Sequence, residues 1–261
     1  MNAHLCNEDA PPLALLAGGL ATRLRPATTS VPKSLLNVAG EPFIAHQLRL
    51  LADQGVRDVV ICCGHLGEQI ESFVSDGSRY GCRVRYSYDS PGLLGTGGAI
   101  RRALHLLGPR FWVMYGDSYL TAPFSRVLEA FHRSGRAALM TVFANGNHWD
   151  TSNVEFAGGK IVRYDKHARG SGMRHIDYGL GLFSAEVFRR WSGATVFDLS
   201  DVQVRLVEQG AMAGYEVIDR FYEIGSTVGL RETDAFLTAQ QSTPAPGANM
   251  YGRRGPYGVR A

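Results

Sequence analysis

The residues of this chain best suited to chemistry follow short apolar runs. One such run, Leu13 to Ala17, opens into Gly18 and Gly19, then Arg23 and Arg25, then Lys33 beside Pro32. Glycine lets backbone come close to a planar base or a phosphate because no Cβ intervenes. Arginine supplies a bidentate fork and lysine a point charge for phosphate oxygens. The stretch from Leu15 to Phe43 therefore reads as a polyphosphate loop, the alternative being a plain turn with its cations in water. Asp117, in MYGDSYL, ends a run that begins at Phe111. A carboxylate there could hold Mg²⁺, which takes one or two protein carboxylates together with phosphate oxygens; aspartate is equally a common turn residue. Glu223, in FYEIGS, is a second carboxylate or a solvated strand end. Lys166 closes VRYDK as a surface lysine would, and Asp177 and Tyr178 in HIDYGLGLF are of the types that bind sugar hydroxyls.

Competing chemistries find less support. No GxxxxGK[ST] occurs, and no GxGxxG follows the first strand, which removes the P-loop and dinucleotide fingerprints. Cys6, Cys62, Cys63 and Cys82 make no CxxC pair, and His65, His148, His167 and His175 show no ligand spacing. Neither a zinc site nor a disulfide framework is suggested. His46, on a predicted helix, reads as packing.

These residues need a scaffold, and 261 residues can bury a large core. With 45% apolar and 20% charged residues the chain has an ordinary globular composition. A net charge of +3 is too small for a nucleic-acid surface, though it suits an anionic small molecule. The opening MNAHLCNEDAPP lacks the basic start of a signal peptide and no segment approaches a membrane span, so reduced thiols in a cytoplasm are expected.

Apolar spacing predicts a helix from Phe43, stopped by Gly55, then a strand in DVVIC and a helix in LGEQIESFVSDG. A half-exposed strand RVRYSYD, a glycine-opened helix GTGGAIRRALHLL and a buried strand FWVMYGD follow. Such alternation forces right-handed crossovers and a mostly parallel sheet with helices on both faces. Past Ala137, the runs AALMTVF, SNVEF and KIVRYDK read as an antiparallel layer, the last two joined as a hairpin at Gly158 and Gly159. Two helices, DLSDVQVRLVEQG and TVGLRETDAFLTAQ, flank a strand AGYEVID. The expected organisation is an extension over 1–12, one domain over 13–239 with halves of about 13–136 and 137–239, and a flexible, Gly- and Pro-rich tail over 240–261.

In order along the chain, these motifs resemble those of the sugar-1-phosphate nucleotidylyltransferases. The signature LAGGxGTRLxP…PK is met by LAGGLATRLRP and Pro32-Lys33, the base-reading LGTGGAI by Leu94 to Ile100, and the GD aspartate by Asp117. A lysine of the antiparallel layer corresponds to Lys166, and a carboxylate before IGS to Glu223. The sequence departs from the pattern at Ala21, usually glycine, and at Glu223, usually aspartate.

The resemblance implies an α/β, Rossmann-like, mostly parallel sheet flanked by helices, with an antiparallel sugar-binding layer, as in nucleotide-diphospho-sugar transferases. It implies Mg²⁺ and transfer from a nucleoside triphosphate to a sugar 1-phosphate, releasing pyrophosphate. By the same carry-over, Arg23, Lys33 and Asp117 are catalytic, and Asp117 and Glu223 hold the metal. Ala17, Gly18, Gly19, Arg23, Asp89, Gly95, Thr96, Gly97 and Gly98 meet the nucleotide, while Asn153, Lys166, Asp177 and Tyr178 meet the sugar phosphate. The segment LLGTGGAIRRAL looks most like that of heptose and mannose 1-phosphate guanylyltransferases, so GTP with a heptose 1-phosphate is expected, UTP or dTTP being the alternatives. Relatives often assemble as dimers or tetramers, and a homo-oligomer belongs to the same expectations. The rival class is a non-catalytic nucleotide-sugar sensor; a dinucleotide-dependent dehydrogenase is disfavoured by the missing fingerprint.

Overall fold

The computed structural model describes residues 10–19, 22–167 and 172–242. Strand β1 (Leu13–Leu16) is followed by a small ribbon of β2 (Asn37–Val38) and β3 (Glu41–Pro42). Helix α1 (Phe43–Asp53), strand β4 (Asp58–Cys63), helix α2 (Gly67–Val74) and strand β5 (Arg83–Tyr88) come next. They lead to α3 (Gly95–Ala103), β6 (Arg110–Tyr115), β7 (Ser118–Leu120), α4 (Phe124–Ser134) and β8 (Ala138–Phe143). The remainder comprises β9 (Val154–Ala157), β10 (Lys160–Tyr164), β11 (Ile176–Ser184), α5 (Ala185–Arg189), α6 (Leu199–Glu208), β12 (Met212–Val217), β13 (Phe221–Glu223) and α7 (Thr227–Ser242).

Seven strands form the central sheet in the order β12-β8-β11-β6-β1-β4-β5. Strand β11 runs antiparallel to both its neighbours, and every other pairing in the sheet is parallel. Side chains alternate across it, as a period of two requires. Leu13, Leu15, Trp112 and Met114 face one core with α1 and α4, while Ala14, Leu16, Phe111 and Val113 face another with α3 and α6. Burying each such large side chain contributes about 1.5–3 kcal/mol. A third, smaller cluster, with Val38, Phe43, Tyr119, Ile224 and Leu237, seats α7.

Two expectations are corrected. Ala138–Phe143 is not part of an antiparallel layer: it pairs in parallel with β12 inside the central sheet, where all six of its residues are buried. Of the three runs expected in that layer, only those of β9 and β10 form a separate antiparallel pair, turning at Gly158 and Gly159 as expected. Helix α7 continues through Ser242, past the expected start of the tail, because Leu237 anchors its last turns in the third cluster. Ala21, the rest of that tail and Cys6 lie outside the described residues.

The sheet brings two loops to one edge. Leu16 is in register with Tyr115, and Gly116 N–H donates to the Leu16 carbonyl at 2.9 Å. The loops after β1 and β6 therefore leave the carboxyl ends of adjacent parallel strands, where open α/β sheets collect ligands. A second device acts across the chain. Strands β7 and β13 pair with Glu223 opposite Ser118, and Ile224 N–H donates to the Asp117 carbonyl at 2.9 Å.

Candidate active site

Two adjoining cavities open at that edge. The first, about 380 Å³, is lined by Ala17, Gly18, Gly19, Lys33, Asp89, Gly95, Thr96 and Asp117 among others. The second, about 270 Å³, is lined by Arg23, Asp117, Asn153, Lys166, Asp177, Tyr178 and Glu223 among others. Tyr115 and Asp117 line both, so Asp117 stands at the junction.

At the junction, Lys33 Nζ donates to Asp117 Oδ2 at 2.8 Å, with the two side chains 19% and 33% exposed. Gly225 locates the rest of the cluster. A Cβ added there would lie 2.7 Å from Glu223 Oε2, 3.4 Å from Asp117 Oδ2 and 3.6 Å from Lys33 Nζ. Two carboxylates 106 positions apart in the chain, the difference between 223 and 117, thus converge on one spot beside a lysine. The β7–β13 pairing makes this happen, since it fixes the backbone of both residues. Glu223 is further held by Ser226 Oγ, which donates to its Oε1 at 2.6 Å, and by the N–H of Gly225.

The donor set suits a hard cation. Both candidate ligands are carboxylate oxygens, and among the described residues no group of three or more histidine, cysteine, aspartate and glutamate side chains forms a cage. Mg²⁺ takes one or two protein carboxylates together with phosphate oxygens, and Asp117 and Glu223 would be the residues to hold such an ion.

In the second cavity, Lys166 Nζ bonds Asp198 Oδ2 at 2.8 Å. Asp198 is the N-cap of α6, accepting from Ser200 N–H in a capping box with Asp201. Burial alone would push the Asp198 carboxyl up, but the Lys166 ammonium and the Ser200 N–H hold it below its usual range. Asp177 is raised by burial, opposed by the Gly179 N–H, the Gln203 amide and the more distant Lys166 charge. Asn153 Oδ1 accepts from Asp177 N–H at 2.9 Å, so the two predicted sugar residues brace one another. Tyr178 is placed differently from Asp177. It is 1% exposed, packs beside Phe143 and Phe221, and buries its hydroxyl next to Thr121 and Ala122.

The glycines of GTGG also have a different neighbour from the one expected. Gly97 and Gly98 do not line the first cavity; their N–H groups donate to the Phe197 carbonyl at 3.1 and 3.3 Å. A Cβ on Gly95 or Gly97 would collide with Phe197, and one on Gly98 would lie 2.9 Å from the Thr195 carbonyl. The missing Cβ atoms of these three glycines admit the segment before α6. Thr96 Oγ1 accepts from Leu199 N–H at 2.8 Å and completes that seam. Gly95 and Thr96 still border the cavity, as expected. Gly18 has a similar constraint, since its Cβ would sit 3.1 Å from Gly64 N. Asp89 Oδ2 accepts from Leu94 N–H at 3.0 Å, ahead of α3, and burial raises its carboxyl.

Sequence reasoning missed Asp198, Ser226 and Trp149. Trp149 is 40% exposed and lines the second cavity, its ring tilted against Phe143, edge-on to Phe221 and covered by the Arg220 guanidinium. Nothing in their local spacing marks them; an N-cap aspartate three residues before another acid was the one readable signal.

A family model described as nucleotidyl transferase matches residues 14–153. The chain belongs to this family. The matched span holds both loops that flank β1 and β6, and hence Arg23, Lys33, Asp89 and Asp117. The chain is 30% identical over 228 residues to an N-acetylmuramate alpha-1-phosphate uridylyltransferase of Neisseria meningitidis serogroup B, covering 86% of this chain and 97% of that relative. It is 26% identical over 217 residues to a mannose-1-phosphate guanylyltransferase catalytic subunit beta of Danio rerio, covering 81% of this chain and 60% of the relative. A crystal structure of a Bacillus anthracis protein in complex with a sucrose shares the fold, with TM-score 0.78 and 20% identity over 93% of this chain and 97% of the other. The nucleotidyl transferase is thus an enzyme of the sugar-1-phosphate nucleotidylyltransferase group. Among its described residues no helix is long and apolar enough to cross a membrane.

Proposed function

We propose that this nucleotidyl transferase joins a nucleoside triphosphate to a sugar 1-phosphate, with GTP and a neutral sugar such as a heptose as its substrates. The observation that carries the reading is the meeting of Lys33, Asp117 and Glu223 at the junction of two cavities, with Arg23 and Lys166 lining the second. The base and ribose occupy the first cavity, the sugar phosphate the second, and the triphosphate lies between them. The phosphate of the sugar attacks the α-phosphorus in line and pyrophosphate leaves. That nucleophile is already anionic at neutral pH, so no general base is needed and none is present among the named residues. Lys166 grips the attacking phosphate, Arg23 meets the triphosphate and the departing pyrophosphate, and Lys33 meets oxygens near the reacting phosphorus. Asp117 and Glu223 would hold Mg²⁺, which when bound supplies positive charge to the phosphate oxygens. The protein's share of catalysis is positioning and charge neutralisation.

Asp89 supports guanine. Its carboxylate is acceptor-only when ionised, Oδ2 accepts from Leu94 N–H, and the residue lines the first cavity. Guanine presents two adjacent donors, whereas uracil and thymine flank their one donor with carbonyls. The lining of the second cavity holds Asp150 and Asp177 and, among the described residues, no cations besides Arg23 and Lys166, which suits a neutral sugar better than an acidic one. UTP is the second reading, favoured by the near full-length match to the Neisseria uridylyltransferase.

Pyrophosphate release measured across the four common triphosphates with a panel of sugar 1-phosphates tests the proposal. GTP with a neutral sugar should give the highest kcat/KM. The Asp89→Asn variant should lose about tenfold or more of the preference for GTP over UTP, in the range of one mismatched hydrogen-bond pair. A wild type that prefers UTP and an unchanged ratio in the variant would place base selection elsewhere.

A further inference from the structure

Glu223 reaches the junction through a space that only one residue type leaves open. It is the last residue of β13, and its side chain folds over the first turn of α7. There Ser226 Oγ donates to Oε1 at 2.6 Å, while Ser226 Oγ itself accepts from Gly229 N–H at 2.9 Å. Thr233 Oγ1, from a fully buried residue one turn further on, donates to the Glu223 carbonyl at 2.8 Å. The side chain is therefore clamped from its backbone to its carboxylate by α7.

Gly229 forms the wall of this clamp. It is the third residue of α7 and does not adopt a positive φ, so its backbone places no demand for glycine. Glycine is a poorer helix former than alanine, which calls for a packing reason. The three atoms nearest to an added Cβ all belong to Glu223: it would overlap Oε1 and the carboxyl carbon, and it would lie 2.7 Å from the backbone carbonyl oxygen.

We propose that Gly229 is a positioning residue for Glu223: its bare Cα is the room that a glutamate, one methylene longer than an aspartate, needs to bring its carboxylate beside Asp117. The inference rests on the reading of Asp117 and Glu223 as ligands of a divalent cation. It also explains how the departure from the usual aspartate is absorbed, since a shorter side chain would not extend to Ser226 Oγ and would leave the Gly229 Cα uncovered.

The test is a double-mutant cycle on the full chain, with Mn²⁺ alone as the probe and free Mn²⁺ followed by electron paramagnetic resonance. Gly229→Ala should weaken Mn²⁺ binding by about tenfold or more in the wild-type background, as loss of an outer-shell support does. In the Glu223→Asp background the same change should cost far less, because the overlap with Oε1 is gone. Both Gly229→Ala proteins should melt at lower temperature, since the contact with the residue 223 carbonyl persists, so melting alone does not report the positioning. Equal Mn²⁺ losses in the two backgrounds, or no loss in either, would overturn the proposal. A wild type whose Mn²⁺ affinity is untouched by Glu223→Gln would instead sink the ligand reading. A crystal structure of Gly229→Ala then judges the positioning independently: a carboxylate displaced from Gly225 N–H supports it, and one left in place overturns it.

Discussion

Asp117→Asn is expected to lower kcat by about a thousandfold with little change in the KM of the sugar phosphate. Asparagine has nearly the same shape, so β6 and the turn that follows it keep their packing. What disappears is a full negative charge at the junction of the two cavities, 2.8 Å from Lys33 Nζ and within the cluster around Gly225. A group that acts mainly on charge developing in the transition state lowers kcat when removed, whereas a group that merely binds substrate raises KM. Stability should hardly move, because a partly exposed ion pair contributes at most about 1 kcal/mol. Steady-state kinetics beside a thermal melt make the comparison. Near-normal turnover at saturating Mg²⁺ would remove this carboxylate from the chemistry.

Lys33→Met is the second large expected loss, about a hundredfold in kcat. Methionine keeps much of the apolar stem and deletes the cation that borders both Asp117 and the first cavity. Because each partner is oriented by the other, the two substitutions should not multiply. Lys33→Met combined with Asp117→Asn should cost little more than the worse single change, as residues acting as a unit do. A double-mutant cycle on kcat measures this directly. Strictly multiplicative effects would mean that lysine and aspartate act at separate steps.

Much of this site was legible before any coordinates. Gly18 and Asp117 follow strands that apolar runs already identify, Arg23 and Lys33 lie in the loop after the first of them, and the parallel topology brings both loops to one edge. The meeting of Asp117 with Glu223 was not readable, because β7 and β13 are three residues each and pair across about a hundred positions of sequence. Short strands of that kind carry too few side chains for a period of two to show. The close neighbour of the GTGG glycines was unreadable for a related reason. A glycine reports that something comes close, and only the fold shows that the visitor is the Phe197 segment. Tyr178 follows the same rule: neighbours in a strand point to opposite faces, so its hydroxyl goes to the core while Asp177 turns toward Gln203. Helix α4 was overlooked although Phe124, Val127, Leu128 and Phe131 keep a helical spacing, and all four are buried.

The fate of the phosphates tests the central claim most directly. With wild-type enzyme, Mg²⁺ and a sugar 1-phosphate acceptor, label at the α-phosphorus of GTP should pass into a nucleotide sugar and label at the γ-phosphorus into pyrophosphate, with neither transfer occurring without the acceptor. Triphosphate and sugar phosphate recovered intact after tight binding, across all four nucleotides, would describe a sensor and contradict the account.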